Sequence, residues 1–575
     1  MVKIIIERDM EKVQVFCENT STLHQCEPGI SLEELSKTLD HKCTYTPLGA
    51  IVDNQLKELS YKIYNPHIIR FIDLSHPDGR RIYMRTLSFI LQRSAVELFP
   101  EYRLTFNYTL PNGLYGEIRE KEKGEDGKYP VITLTKGQVE ALKGKMDEYI
   151  GKNLPIEKKK LPRDIASSIF RTNGYTAKSA LAENSKHYFI STYSLDGYSD
   201  TFYGPLLVST GCIDLFDLSP YRGGFCLQAP SSSDPTRITD YKYQDKLNNV
   251  FKEHSQWNDI LGVETLAHLN QTIEAGKIVP IIQIAEALHE RKYAEIADMI
   301  HSRRDKIKLI LIAGPSSSGK TTSSNRIAIQ CRTLGMNPIV LEMDNYFVSR
   351  DKTPRDENGD YDFESLYAMD LEFLNSQLND ILSGKEVELP KFDFVKGERV
   401  PSGKKIKMTE KDILIMEGIH ALNKELTKEL DQDKLFRIYV SALTSLSLDE
   451  NNVISTTDSR LLRRMVRDAR TRGVTPEDTI LRWPSVRRGE EKNIFPFQEN
   501  ADVMFNSSLI FELPLLKYYA EPHLRRIPVT SPAYTESVRM LKFLAHITPL
   551  TPEEIVAVPP TSVLREFIGG SSIKY

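Results

Sequence analysis

The spacing of apolar and polar positions changes several times along the chain, and each change announces a different kind of structure. Short alternations at residues 2–7 and 13–17 predict strands, and Ser31-Leu-Glu-Glu places an N-cap before an apolar-periodic helical turn. Residues 1–60 therefore read as a small α+β module. Strands and helices mix over 61–228, with helical spacing strongest at 87–98 and 138–150. The run Ala229-Pro-Ser-Ser-Ser-Asp-Pro is loop chemistry and sets a boundary. Residues 229–303 then read as a helical linker, including a helix at 281–291. From Lys306 onward, short β-branched runs at 307–313, 339–343, 413–416 and 437–440 alternate with helical stretches. That rhythm predicts a doubly wound parallel sheet with crossover helices within 304–520. The tail, 521–575, carries one helix at 536–547 followed by proline-punctuated turns. The expected fold class is thus multidomain, α/β joined to α+β.

Bulk properties narrow this picture. At 575 residues the chain is too long for one core and predicts about three or four domains. A net charge of −4 gives no global pull toward nucleic acid, so any RNA contact needs a local patch. Lys158-Lys159-Lys160 is one such run and reads as a solvated loop. The six cysteines form no CxxC pair, which fits a reduced, cytoplasmic interior. No apolar run approaches the roughly 20 residues that span a bilayer, and charges interrupt MVKIIIERDM where a signal peptide would be apolar.

The strongest chemical signal is IKLILIAGPSSSGKT, an apolar run that breaks into Gly314-x-x-x-x-Gly319-Lys320-Thr321 and then into helix. A glycine-rich turn between strand and helix lets backbone N–H groups wrap a polyphosphate. The cradle comprises Gly314, Pro315, Ser316, Ser317, Ser318, Gly319, Lys320, Thr321 and Thr322. Lys320 would reach the β- and γ-phosphates, and Thr321 would ligate Mg²⁺. Phosphate binding alone does not define a reaction; groups at the ends of the following strands do. Asp344, in Asp344-Asn345-Tyr346-Phe347, is placed to orient or deprotonate an attacking hydroxyl. Glu417, followed by Gly418, Ile419 and His420, adds an acid on the metal side, with His420 a packed neighbour. In the arginine-rich run 463–472, positions 464, 467 and 471 share a helix face that 463, 467 and 470 overlap. Several guanidiniums converging there would form a lid over a departing phosphoryl group.

These pieces resemble the uridine kinase family of P-loop kinases, which includes phosphoribulokinase. The resemblance runs in order through GPSSSGKTT, DNYF, Tyr361-Asp362-Phe363, Pro390-Lys-Phe-Asp-Phe394 with Arg399, ILIMEGIHAL and RRMVRDARTRG, over about 307–510. It implies ATP and Mg²⁺, Asp344 as general base for a ribose 5′-hydroxyl, Asp362 and Arg464 holding the vicinal hydroxyls, and Arg467 and Arg472 as lid cations. Tyr346, Phe392 and Arg399 fall among the implied substrate contacts, and a homo-oligomeric kinase unit is also implied. The base-reading positions depart from the family: Phe392 and Gly397 stand where a tyrosine and a histidine are usual, and Val474 and Arg482 replace polar residues near the lid. Phe392 can stack on a base but cannot hydrogen-bond to one.

Residues 1–60 resemble the TGS module of threonyl-tRNA synthetases through GISLEEL and AIVDNQLKEL. Residues 61–228 resemble the editing-type domain that follows it, through MRTLSFILQRSAVELFP, NGLYGEI, LPIEKKKLPRDIA and GPLLVSTGCI. Arg85, Phe89, Phe202 and Leu206 occupy the family's four hydrolytic positions, and this set cannot bind zinc or act as a general base. Binding, regulation or scaffolding remains for this half, with tRNA contact one form of it. Pro111-Asn112-Gly113 and Ser209-Thr210-Gly211 read as turns. Together these readings imply a nucleoside kinase, first for uridine or cytidine. The alternatives are a kinase of another sugar or sugar phosphate, and a nucleotide-gated RNA-binding protein.

Overall fold

The computed structural model describes residues 12–110, 113–125, 127–239, 244–355, 359, 361–393 and 396–573. The strand expected at 2–7 and two residues of the turn at 111–113 lie outside these.

Near the N-terminus, among the described residues, five strands form a sheet in the order Thr22–Cys26, Val13–Cys17, His67–Ile72, Gly49–Val52, Gln55–Lys57. Val13, Val15 and Cys17 alternate inward, as the period-two pattern requires. The helix Leu32–Thr38 crosses this sheet. Ser31 Oγ accepts from the Glu34 N–H at 3.1 Å, and the Ser31 N–H donates to Glu34 Oε2 at 2.9 Å, a reciprocal cap.

The next layer is built on the helix Pro77–Leu98, whose apolar face packs on the antiparallel strands Tyr102–Leu110 and Gly113–Glu120 and, through the same core, on Gly224–Gln228. A three-stranded sheet follows: Glu157–Pro162, Phe189–Leu195, Tyr198–Asp200. The lysine run is therefore not a loop. Lys158, Lys159 and Lys160 lie in the first strand, pairing in register with Tyr193, Thr192 and Ser191, and Lys158 bridges to Glu58 at 2.8 Å.

The parallel sheet runs Asn337–Glu342, Asp412–Glu417, Leu309–Ala313, Leu435–Ser441, Val503–Asn506. The expected strands are present, joined by a fifth at the edge. Leu309, Leu311 and Ala313 face one core and Ile310 and Ile312 the other, so the central strand is buried on both sides. Helices within 245–301 were expected to link the halves. Instead they build layers of this unit: Leu247, Val250 and Phe251 of Asp245–Leu261 cover one face, and Tyr293, Ile296 and Ile300 of Ile278–His301 cover the other.

The segment Asp449–Asn451, just beyond the parallel sheet, closes the junction between the two halves. Lys178 is wholly buried, with both Asp200 carboxylate oxygens at 2.7 Å, Asn451 Oδ1 at 2.8 Å and Asp449 at 3.9 Å. Glu450 accepts from the N–H groups of Ala177 and Lys178 at 2.8 and 3.1 Å, capping the helix Thr176–Glu183. Removing the ammonium strands two carboxylates in a dry interior. Lys178→Met should therefore lower unfolding stability by about 3–5 kcal/mol, measured by denaturant titration of the full chain.

Candidate functional site

The central strand Leu309–Ala313 has neighbours on both sides that belong to different crossovers, so a crevice opens at its C-terminal end. Gly314 to Lys320 turn through that crevice into the helix Lys320–Thr333. Ser317 and Gly319 take left-handed conformations, φ 59° and 82°, which curl the backbone into a concave loop. Gly314 admits no side chain: a Cβ there would lie 1.9 Å from the Val440 carbonyl oxygen. The buried Ser317 and Ser318 hydroxyls have no hydrogen-bond partner among the described residues, leaving donors at the loop.

The helix Thr456–Thr471 holds this loop from beneath. Arg460 Nη1 donates to the Ser316 carbonyl at 3.2 Å, and its Nη2 to Glu490 Oε2 at 2.8 Å; Glu490 Oε1 accepts the Ser316 N–H at 3.0 Å. Arg463 donates to the Ser317 and Ser507 carbonyls at 3.4 and 2.9 Å, and its Nε to Glu512 Oε1 at 2.7 Å. The arginine run therefore divides. Arg463 is buried under the loop, and Arg470 turns away to the carbonyls of Glu566 and Phe567. Arg464, Arg467 and Arg472 gather around Asp468 at 3.3, 2.8 and 3.6 Å, and Arg464 also donates to Ser316 Oγ at 2.8 Å.

At the loop's mouth, Thr321 donates its hydroxyl to Glu417 Oε1 at 2.8 Å. Lys320 Nζ rests 3.3 Å from the Pro315 carbonyl, folded over the cradle. Burial raises the Glu417 pKa to about 7 against the pull of Lys320, and Asp344 adds to the rise. Asp344 reaches solvent, yet protein mass surrounds it in the cleft. Its pKa is raised by that burial, opposed by Lys320 and Arg472. Glu364 completes the acidic set; burial and Glu490 raise it to about 7, opposed by Arg464 and Lys320. An oxygen set of Thr321 and Glu417 fits a hard cation such as Mg²⁺, and the open hydroxyls and glycine cradle fit a polyphosphate.

Several expected substrate contacts are placed differently. Tyr346 is 1% exposed and donates its hydroxyl to Gln377 at 2.6 Å, so it packs beneath the site. Arg399 is paired with Asp370 at 2.5 Å over the Phe373 ring. Phe392 sits edge-on to Phe347, its N–H on Asn345 Oδ1 at 3.1 Å. Asp362 and Arg464 are not joined by any ion pair among the described residues; Asp362 accepts from the Glu364 N–H at 3.2 Å. Burial holds His420 at about 4, so it is a neutral core residue. Arg460, Glu364 and Glu490 were missing from the expected set, and no spacing pattern in the sequence singles them out. In the other half, Phe89 and Phe202 meet at 5.2 Å, Leu206 is buried, and Arg85 donates to the Pro205 carbonyl at 3.3 Å.

The family model described as "Phosphoribulokinase / Uridine kinase family" matches residues 309–510. A uridine kinase of Macrococcus caseolyticus is 32% identical over 200 residues, covering 35% of this chain and 87% of its own length. The chain belongs to the phosphoribulokinase/uridine kinase family. A uridine kinase of Staphylococcus epidermidis is 31% identical over 197 residues, 34% of this chain and 86% of its own length. As a member of the phosphoribulokinase/uridine kinase family, the chain is a phosphotransferase that acts on an alcohol group. Its N-terminal half is similar to threonine–tRNA ligases: that of Clostridium kluyveri is 24% identical over 263 residues, 46% of this chain, and the chain spans only 38% of that ligase. No described helix is long and apolar enough to cross a membrane. Because the Gly314 contact is with backbone, Gly314→Ala must shift the loop, and phosphotransfer should fall about 10²-fold in a steady-state assay.

Proposed function

We propose that the chain transfers the γ-phosphoryl group of ATP to the 5′-hydroxyl of a ribonucleoside, with uridine and cytidine the first candidates. The observation that carries this reading is the glycine loop with Lys320 folded over it at 3.3 Å from the Pro315 carbonyl and Thr321 bonded to Glu417 at its mouth at 2.8 Å, where the charge of Asp344 also acts on Glu417. Loop amides and Lys320 bind the phosphate tail, and Asp344 accepts the proton of the attacking hydroxyl. Thr321 and Glu417 would hold Mg²⁺, which when bound neutralises phosphate charge. Arg464, Arg467 and Arg472 bring positive charge to the same end of the cleft and stabilise the charge of the transferring group. Asp362 and Glu364 offer carboxyl oxygens to vicinal sugar hydroxyls.

A second reading is favoured by Phe392, which is apolar and committed to Phe347. An apolar side chain at this position cannot hydrogen-bond a pyrimidine, which on this reading makes the acceptor a sugar or sugar phosphate. A panel of nucleosides, pentoses and pentose phosphates, followed by ADP release, separates the two. RNA contact by the N-terminal half rests on the ligase likeness alone.

Lys320→Ala and Asp344→Asn should each cost about 10² or more in kcat with the best acceptor, and equal turnover would reject the assignment. The pH profile gives a second check. A base whose pKa is raised stays protonated to a higher pH, so activity should fall on acidification sooner than an ordinary carboxylate predicts. Asp344 and Glu417 both shift in that direction.

A further inference from the structure

Beyond the residues that match the family, the chain returns to the phosphate site. Val563 packs on Gly319 so closely that a Cβ on the glycine would lie 2.3 Å from Val563 Cγ2. Three residues later, Glu566 Oε2 accepts the Thr322 hydroxyl at 2.6 Å. Arg326, on the loop's own helix, donates to the Thr561 carbonyl. From the other side Arg470 donates to the carbonyls of Glu566 and Phe567 at 3.0 and 3.1 Å, and the Arg463 guanidinium lies 5.0 Å from the Phe567 ring centre. Residues 561–567 are thus strapped both to the helix that follows the glycine loop and to the arginine helix.

The placement of Glu566 is the unusual part. Thr322 is the third residue of the helix Lys320–Thr333, in the first turn, where a helix dipole favours an anion. A carboxylate already stands there. Its charge is felt across the site: it adds to the upward push on Glu417 and attracts Arg472. A polyphosphate entering the glycine loop meets this negative charge and must compete for the same hydroxyl.

We propose that Glu566 is a built-in competitor for the phosphate site, holding the Thr322 hydroxyl in the nucleotide-free protein and yielding it when a nucleotide's phosphates enter. This rests on the reading that a nucleotide occupies the glycine loop. Because the strap also grips Arg470, its displacement releases the C-terminal turn of the helix Thr456–Thr471, next to Arg467 and Arg472, while Arg460 and Arg463 keep the rest of that helix anchored. Nucleotide entry and adjustment of that helix are then a single coupled event, driven by the difference in affinity between the strapped and released states.

Isothermal titration of the full chain with ATP–Mg²⁺ tests this. Glu566→Gln keeps the shape and removes the charge, and should bind about tenfold tighter. The gain should shrink at high ionic strength, as a charge effect must and a packing effect need not. Arg470→Ala, which loosens the strap without altering Glu566, should also tighten binding. In the wild-type protein, ATP should speed hydrogen exchange in residues 561–567. If the wild-type protein binds ATP and Glu566→Gln binds equally or more weakly, the competitor role is overturned. Faster exchange must accompany binding; unchanged or slower exchange overturns it as well. Absence of ATP binding in every variant would reject the nucleotide reading itself and the strap with it.

Discussion

Two buried guanidiniums, Arg460 and Arg463, hold the glycine loop in shape, and everything else at the site is referenced to that hold. A loop that turns its N–H groups toward an anion turns carbonyls the other way, and buried carbonyls need donors. The arginines supply them to Ser316 and Ser317. Each guanidinium is in turn fixed by an acid, Glu490 or Glu512, with no water between. Buried ion pairs of this kind add little net stability, because desolvation offsets attraction. What they add is definition: both arginines fork to two or more acceptors, leaving the loop one arrangement rather than several.

Around this scaffold the charges are deliberately unbalanced. Glu364 and Glu417 are both raised to about 7, and Asp344 is raised too, while Lys320 pulls all three back. Carboxyls crowded in this way favour a cation or a hydrogen-bonding hydroxyl as a neighbour. The arginines near Asp468 favour an anion. Both preferences meet in one cleft, which is the requirement for bringing a phosphate ester and an alcohol together.

Much of the fold and the core of the site were legible in the sequence. Period-two and continuous apolar runs locate the strands, and the glycine spacing locates the loop, because both follow from local geometry. Asp344 and Glu417 can be assigned to the crevice from sequence because strand ends in such sheets face it. The residues that escaped depend on contacts distant in the chain. Val503–Asn506 is too short to announce itself as a strand and is held by pairing with Leu435–Ser441. Arg463 and Arg470 read as lid cations from helical spacing, but the acid and carbonyls that claim them come from residues beyond 500. Tyr346 follows the same logic, since Gln377, 31 positions on, takes its hydroxyl. The helices of 245–301 read as a linker because their apolar faces do not reveal what they cover.

Glu450 caps a helix whose first turn lies 273 positions earlier. Such a contact undoes modularity. The ligase-like part and the kinase part share these polar groups: Glu450 takes the N–H groups of Ala177 and Lys178, and Asn451 joins Asp200 around the Lys178 ammonium. Excising either would trade a sealed interface for stranded charges, so neither part can be cut away without cost to the other.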